Sequence, residues 1–319
     1  MLKKFFWGAL AFSVLFACSA LAQNFPTKPI TLVIPVGAGG SHDLTGRAVT
    51  SVAVNYLGQP ILIQLKPGGG GAIGSDFVAA SDPDGYTLLL GGPQWSSTIP
   101  AIDRKSKGPD DLAAVCRINY SPMIVGVRSG TPYKDFKQMI EWCKANPGKL
   151  LVGGTGMWSK SEMLWQQMNN YYGIKVKKIP YNGGGPALTA MLGGHIDTTV
   201  GLGSVFSPHI AAGQMWGAAV LDNRRQKALP DIPTAKEMGV DAIHIMWRGV
   251  LAPKGTPKAI IDRLADGFKK MTEDPTVISM ISRFGDEIQF LGPDEFTKVW
   301  RTEYEIDKEL GRKLKEEKR

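Results

Sequence analysis

One local pattern recurs along the chain: a short apolar run, then a glycine-rich turn, then a helix-like segment. The first example is the β-rich run at residues 29–36, followed by glycines and serine at 37–41 and a predicted helix over 42–56. Further strands are predicted at 61–65 and 87–90, with a helix over 72–80 between them. This βαβαβ order predicts the α/β class, with a mainly parallel sheet and helices on its faces.

The same alternation returns after a long extended segment at residues 115–127, and a strand and three helices follow from residue 247 onward. Two such blocks fit two lobes joined by strands that cross near residue 125 and near residues 247–250. The predicted boundaries are as follows: residues 23–125 form lobe 1, residues 126–248 form lobe 2, and residues 249–319 return to lobe 1.

The N-terminus has the layout of a secretory signal peptide. Lys3 and Lys4 precede the apolar residues 5–18, and a small-x-small cleavage site ends at Ala22. Residues 1–22 are therefore predicted to be removed, which places the mature protein in the periplasm. The alternative is a lipoprotein anchored at Cys18.

The amino-acid composition limits the classes of protein to which the chain can belong. Hydrophobic residues make up 43% of the chain and charged residues 21%, which excludes an intrinsically disordered protein. The net charge of +8 is spread along the sequence, so it predicts attraction to anions but no nucleic-acid partner. Cys116 and Cys143 fall in a predicted strand and a predicted helix, and their pairing as a disulfide stays open.

Motifs for nucleotide, metal and covalent chemistry are weak or missing. Residues 69–74 match the GxGxxG spacing, but no acidic residue follows about 20 positions later to bind a ribose. Residues 154–161 resemble a phosphate loop, except that Ser159 replaces its second glycine. The four histidines lack metal-ligand spacing, and there is no GxSxG or CxxC motif. We therefore expect no cofactor and no metal.

Two similar loops, one in each block, carry the functional signal. Residues 37–41 lead into a helix that contains Asp43, and residues 181–185 lead into the helix that begins around Pro186. Each loop places small residues and backbone N–H groups at a helix N-terminus, where anions bind favourably. Two such ends across a cleft would hold a carboxylate; the alternative for either loop alone is a tight turn.

Several stretches in this order resemble one family, the extracytoplasmic receptors of tripartite tricarboxylate transporters (Bug or TctC-like proteins). The resemblance covers essentially the whole mature chain. The stretches are residues 34–43, 66–74, 84–88, 180–187, 229–234 and 252–257.

The resemblance implies a two-lobe periplasmic binding protein of the type II-like "Venus flytrap" form. Such a receptor does no chemistry; as a monomer it captures a small carboxylic acid between its lobes and delivers it to a two-subunit membrane permease. A sensing role in a two-component system and a periplasmic α/β enzyme are the alternatives. The expected ligand-binding residues are Val36, Gly39, Gly40, Ser41, His42, Asp43, Trp95, Thr155, Trp158, Ser159, Tyr181, Gly184, Ala187 and Ser204.

Two departures from the family pattern bear on the ligand. His42 stands where a threonine or another small polar residue is expected. Trp95 and Trp158 follow strands whose ends could line the cleft, which would suit an aromatic or hydrophobic acid. The alternative is that each tryptophan packs against its own lobe.

Overall fold

The structure is a computed structural model that describes residues 25–103, 106–154, 159–181, 184–240, 242–283 and 286–317. The predicted signal peptide and Cys18 lie outside these residues. The strands are β1 (Ile30–Ile34), β2 (Ile61–Leu65), β3 (Thr87–Gly91), β4 (Leu112–Arg128), β5 (Leu151–Gly154), β6 (Lys177–Pro180), β7 (Thr198–Leu202), β8 (Met215–Val220), β9 (Ile245–Pro253) and β10 (Glu287–Leu291).

The helices alternate with the strands as the sequence predicts. They are α1 (Ser41–Thr50), α2 (Ala53–Leu57), α3 (Ala72–Ala79), α4 (Ile99–Ile102), α5 (Phe136–Ala145), α6 (Lys160–Tyr172), α7 (Gly184–Leu192), α8 (Gly203–Ala211), α9 (Lys258–Glu273), α10 (Pro275–Arg283) and α11 (Pro293–Glu317). A π-helical turn over Gln94–Thr98 leads into α4.

Two mixed sheets, each with parallel and antiparallel strand pairs, share the long strand β4. In lobe 1 the order is β2-β1-β3-β9-β4, and β10 pairs with β4 as well. In lobe 2, β4 pairs with β7 and β8, and β5 and β6 continue from β7. The pairs among β1, β2 and β3 and among β5, β6 and β7 are parallel, while every pair of β4 is antiparallel. This arrangement confirms the predicted two-lobe α/β fold.

Each lobe has its own apolar core. In lobe 1, Leu32 and Phe268 pack on one face of the sheet, and Val33 and Trp300 pack on the other. In lobe 2, Trp165 and the buried residues around it fill the space under α5 and α6. Because both faces of each sheet are covered, the strand ends at the junction of the lobes are free to carry functional loops.

Some elements differ from the sequence prediction. The single helix expected over residues 42–56 is two helices, because the Ser51 hydroxyl donates to the Ala48 carbonyl at 2.7 Å and competes with the helix ladder. Strand β10 and the turn over Gln94–Thr98 were not predicted. Both predicted lobe boundaries fall within or next to the shared strands β4 and β9, and they stay a prediction.

Candidate ligand-binding site

The loop after β1 leads into the N-terminus of α1. Gly40 precedes the helix in an extended conformation, and Gly39 has a φ of +81°, which glycine adopts without strain. Gly39 and Gly40 are exposed, Val36 and Ser41 are half-buried, and no atom lies within 4 Å of a Cβ placed on Gly39. The loop therefore presents bare backbone to the space outside it.

Asp43 is part of the scaffold of this loop. Its carboxylate is 4% exposed and accepts hydrogen bonds from the Gly39 N–H and the Arg47 Nε, both at 2.9 Å. Burial raises the pKa of Asp43, but the bonds from Arg47 and Gly39 outweigh it and lower that pKa. The carboxylate thus fixes the loop, and its predicted contact with the ligand stays a prediction.

His42 and Trp95 form a buried aromatic pair behind the loop. Their ring centroids are 4.6 Å apart with planes inclined by 63°, and they are 5% and 4% exposed. Burial holds the pKa of His42 well below its usual range, and the Arg248 guanidinium lowers it further, so the imidazole is neutral at pH 7. Trp95 packs in the core of its own lobe with Val33, which agrees with the alternative that each tryptophan packs against its own lobe. It also contacts His42, which lies directly behind the loop.

The loops of lobe 2 form a second set. The Tyr181 N–H donates to the Gly154 carbonyl at 2.9 Å, which ties the end of β6 to the end of β5. Gly184 opens α7; it is exposed, and a Cβ placed there would meet nothing within 4 Å. Ala187 lies one turn further and is fully buried under Gly153. Gly184 therefore offers open space where a ligand can reach backbone.

Ser159 caps α6, another helix of lobe 2. Its hydroxyl accepts from the Glu162 N–H at 3.3 Å at the start of α6, and the residue is 2% exposed. This bond satisfies one of the free N–H groups of the first turn. Thr155 and Trp158 lie outside the described residues.

A cavity of about 150 Å³ lies between the lobes beside β4. Ser204, at the N-terminus of α8, is the one predicted residue that lines it. Lobe 2 also contributes Arg224 and Gln226, and lobe 1 contributes Asp286. Arg224 is exposed, and no described residue forms an ion pair with it. The helix N-terminus and Arg224 favour an anionic group, while the carboxylates of Asp222 and Glu287, which also line the cavity, oppose one.

A buried ion pair adjoins this cavity through Asp286, which lines it. The Arg248 Nη1 lies 3.0 Å from the Asp286 carboxylate and donates to the Ser121 Oγ at 2.7 Å, while Ser121 also donates to Asp286. Arg248 is fully buried, and its Nε and Nη2 have no partner among the described residues. Burial lowers the pKa of Arg248 and Asp286 opposes that effect.

The sequence reasoning missed this pair. The available signal was an arginine inside the apolar run of β9, since a buried arginine requires a carboxylate partner. That partner, Asp286, lies just before β10, a strand that was not predicted either.

Cys116 and Cys143, the two cysteines among the described residues, are free thiols. Cys116 is buried in the core of lobe 1 and Cys143 in the core of lobe 2, so a bridge between them is excluded. Burial raises the pKa of the Cys143 thiol to about 11. In the described part of the chain, no three metal-ligating side chains gather into a site. The described helices also include none with the length and apolar character of a membrane span.

Two α/β lobes that share the strand β4, each with a glycine-rich helix N-terminus, are the architecture of the periplasmic solute-binding proteins. The model of the TctC family, described as the tripartite tricarboxylate transporter family receptor, matches residues 45–313. The chain belongs to this family of receptors, as the sequence motifs predicted.

Known relatives agree with this assignment over almost the whole chain. The BugT protein of Bordetella pertussis is 29% identical over 309 residues, which cover 94% of each chain. A TctC solute-binding protein from Polaromonas, solved without ligand, has a TM-score of 0.81 and 28% identity, covering 91% of this chain and 100% of that one. MatC from Rhodopseudomonas palustris, solved with bound malate, has a TM-score of 0.75 and 26% identity, covering 90% and 100%.

Proposed function

We propose that this receptor captures a small organic carboxylate between its lobes and delivers it to a two-subunit membrane permease. The observation that carries the proposal is the pair of bare-backbone helix starts, one per lobe. Gly39 and Gly40 lead into α1, and Gly184 opens α7. Backbone N–H groups at a helix N-terminus stabilise a carboxylate, and glycine lets the ligand approach closely.

The cavity at Ser204, beside the shared strand β4, is a second candidate subsite of this receptor. Arg224 and the N-terminus of α8 would hold a second anionic group there. The malate in MatC, a ligand with two carboxylates, makes dicarboxylates the first class to test. Because Trp95 is enclosed in its own lobe, an aromatic acid would depend on Trp158 for stacking.

The mechanism follows from the architecture. A ligand that touches both lobes binds the closed arrangement more tightly than the open one, so it shifts the equilibrium toward closure. We propose that this happens in the periplasm, in a monomer released from its signal peptide after Ala22. The lobes are proposed to span residues 23–125 with 249–319, and residues 126–248.

The experiment is a thermal-shift screen of residues 23–319 against malate, other dicarboxylates, tricarboxylates and aromatic acids, followed by calorimetry of each hit. A ligand at 100 times its Kd stabilises the folded protein by about 2.7 kcal/mol. Well-folded, ligand-free protein that responds to none of these acids would contradict the proposal.

Gly184→Val tests the site itself. A Cβ added at Gly184 meets no atom within 4 Å, so we expect the variant to fold while the approach of the carboxylate is blocked. Gly292→Val is the matched control, because Gly292 also has open space and precedes α11 at the far end of β10. Equal affinity for the hit acid in wild type and Gly184→Val would refute the proposal that the two helix N-termini hold the carboxylate.

A further inference from the structure

A buried ion cluster joins the two lobes away from the cavity. Lys160, the first residue of α6 in lobe 2, reaches α11 of lobe 1. Its Nζ lies 2.7 Å from a Glu303 oxygen and 2.8 and 3.0 Å from the two oxygens of Asp307. The side chains of Lys160 and Asp307 are only 4% and 2% exposed. This contact therefore exists only while the two lobes touch.

On the lobe 1 side of the cluster, uncharged side-chain groups donate hydrogen bonds to the two carboxylates. The Thr98 hydroxyl donates to Asp307 at 2.7 Å. Trp247 falls just inside the predicted range of lobe 2, but it lies on β9 in the sheet of lobe 1, and its Nε1 donates to Glu303 at 2.6 Å. The Ser97 hydroxyl donates to Glu303 at 3.1 Å. These bonds fix both carboxylates in place whether or not lobe 2 is near.

The charges of lobe 1 remain unbalanced without lobe 2. Glu303 and Asp307 stand one helical turn apart, a spacing at which like charges repel. In the described part of the chain, Lys160 is the only cation that pairs with either of them. Glu303 and Asp307 together form a socket for Lys160. The negative charge of this Glu303–Asp307 socket is mostly compensated only when Lys160 of lobe 2 is in contact with it.

The protonation states support a charged lysine. Burial disfavours the ammonium, but Asp307 and Glu303 outweigh it and raise the pKa of Lys160. Burial together with the neighbouring Glu303 raises the pKa of Asp307, with Lys160 opposing. One cation faces two carboxylates, so its removal leaves buried negative charge without a partner, which is strongly unfavourable.

An apolar contact lies beside the ions. Met163, one turn along α6, is fully buried against Ile102 and Leu310 of lobe 1. On the other side of Lys160, Ser159 caps α6 at the end of a predicted ligand loop. The lysine is therefore attached directly to the part of lobe 2 that we expect to meet the ligand.

We propose that Lys160 is a positioning residue that docks α6 onto the Glu303–Asp307 socket and thereby stabilises the closed arrangement of the lobes. The link to ligand affinity rests on the proposed function; the link to lobe position does not. Loss of the positive charge should favour the open arrangement and weaken binding through a reduced closed population.

The test measures lobe separation in the ligand-free protein. Spin labels are placed at Lys137→Cys in lobe 2 and Lys269→Cys in lobe 1, both exposed positions, while Cys116 and Cys143 are fully buried. Double electron–electron resonance then gives the distance distribution. Lys160→Met should shift it to longer distances and reduce the closed population at least tenfold.

Two variants control this result. Lys308→Met removes a lysine from the same helix that carries the socket, but its 3.1 Å pair with Glu305 is exposed, so the distribution should stay unchanged. Lys160→Arg keeps the charge and should remain near wild type. If Lys160→Met fails to fold, Lys160→Gln carries the same expectation, because it too lacks the charge.

The outcomes separate the two proposals. A folded Lys160→Met or Lys160→Gln with the wild-type distribution overturns the positioning role, as does an equal shift in Lys308→Met. If the distances shift while wild type binds neither malate nor the other screened acids, the positioning role stands and the carboxylate proposal fails. If wild type binds malate, Lys160→Met should raise the Kd about tenfold.

Discussion

The Arg248–Asp286 pair offers a severe test of how the lobe junction is stabilised. Asp286→Asn removes the one carboxylate of the described residues that pairs with the fully buried Arg248 guanidinium. Arg248 would then keep Ser121 at 2.7 Å and the Met246 carbonyl at 3.4 Å, with Nε and Nη2 still unpartnered. Breaking one side of a buried pair costs about 3–5 kcal/mol.

That cost is a large share of the roughly 5–15 kcal/mol by which a folded protein is stable. Replacing both partners, as in Arg248→Met with Asp286→Leu, removes the isolated charge and should recover most of the loss. Urea unfolding followed by tryptophan fluorescence and by far-UV circular dichroism measures both variants. The two signals must coincide before a free energy is extracted.

The matched control is Glu309→Gln, which breaks an ion pair of 2.8 Å with Arg312 on the exposed face of α11. No measurable change in the urea midpoint is expected there. The reasoning is refuted if Asp286→Asn costs less than about 1 kcal/mol, or if the double variant is no more stable than the single one.

Further predictions concern buried groups. Burial lowers the pKa of His244 to about 3, so below pH 6.5 only the unfolded state gains its proton. This histidine should lower stability by up to about 1.4 kcal/mol per pH unit between pH 6 and 4. Buried His42, whose pKa is also lowered, acts in the same direction, so His244→Gln should make the pH profile of the urea midpoint less steep without removing its slope. Cys116 and Cys143 should react with a thiol reagent only after unfolding; fast reaction of the native protein would contradict their burial. Gly249→Ala should lower the melting temperature markedly, because the added Cβ would overlap Phe296 and approach the Cys116 carbonyl at 3.1 Å. An unchanged melting temperature would show that α11, which carries Phe296, can shift at no cost in stability.

Local patterns in the sequence predicted most of the fold. The order of strands and helices, the shared strand at residues 115–127 and the two glycine-rich helix starts all follow from short-range periodicity and turn chemistry. The resemblance to the receptor family was confirmed by the family match over residues 45–313. These features depend on residues close together in the chain.

The features that the sequence did not predict depend on residues far apart in the chain. Lys160 and Asp307 are 147 positions apart, and nothing in a single sequence pairs them. Trp95 follows a strand end, a position equally compatible with lining a cleft or filling a core. The structure buries it with Val33, and its contact with a ligand stays a prediction. Strand β10 has mostly half-buried residues, so its alternation is too weak to announce a strand.

The position of β9 has a consequence for how the chain is made. In the sheet of lobe 1, β9 lies between β3 and β4, yet it is synthesised after all of lobe 2. Until residues 245–253 emerge, β3 and β4 each lack the neighbour that completes the sheet, and such open edges pair readily with other chains. Lobe 2, apart from β4, is contiguous in sequence and can form first. A ribosome-released fragment that stops short of residue 245 should therefore contain an ordered second lobe and an aggregation-prone first one.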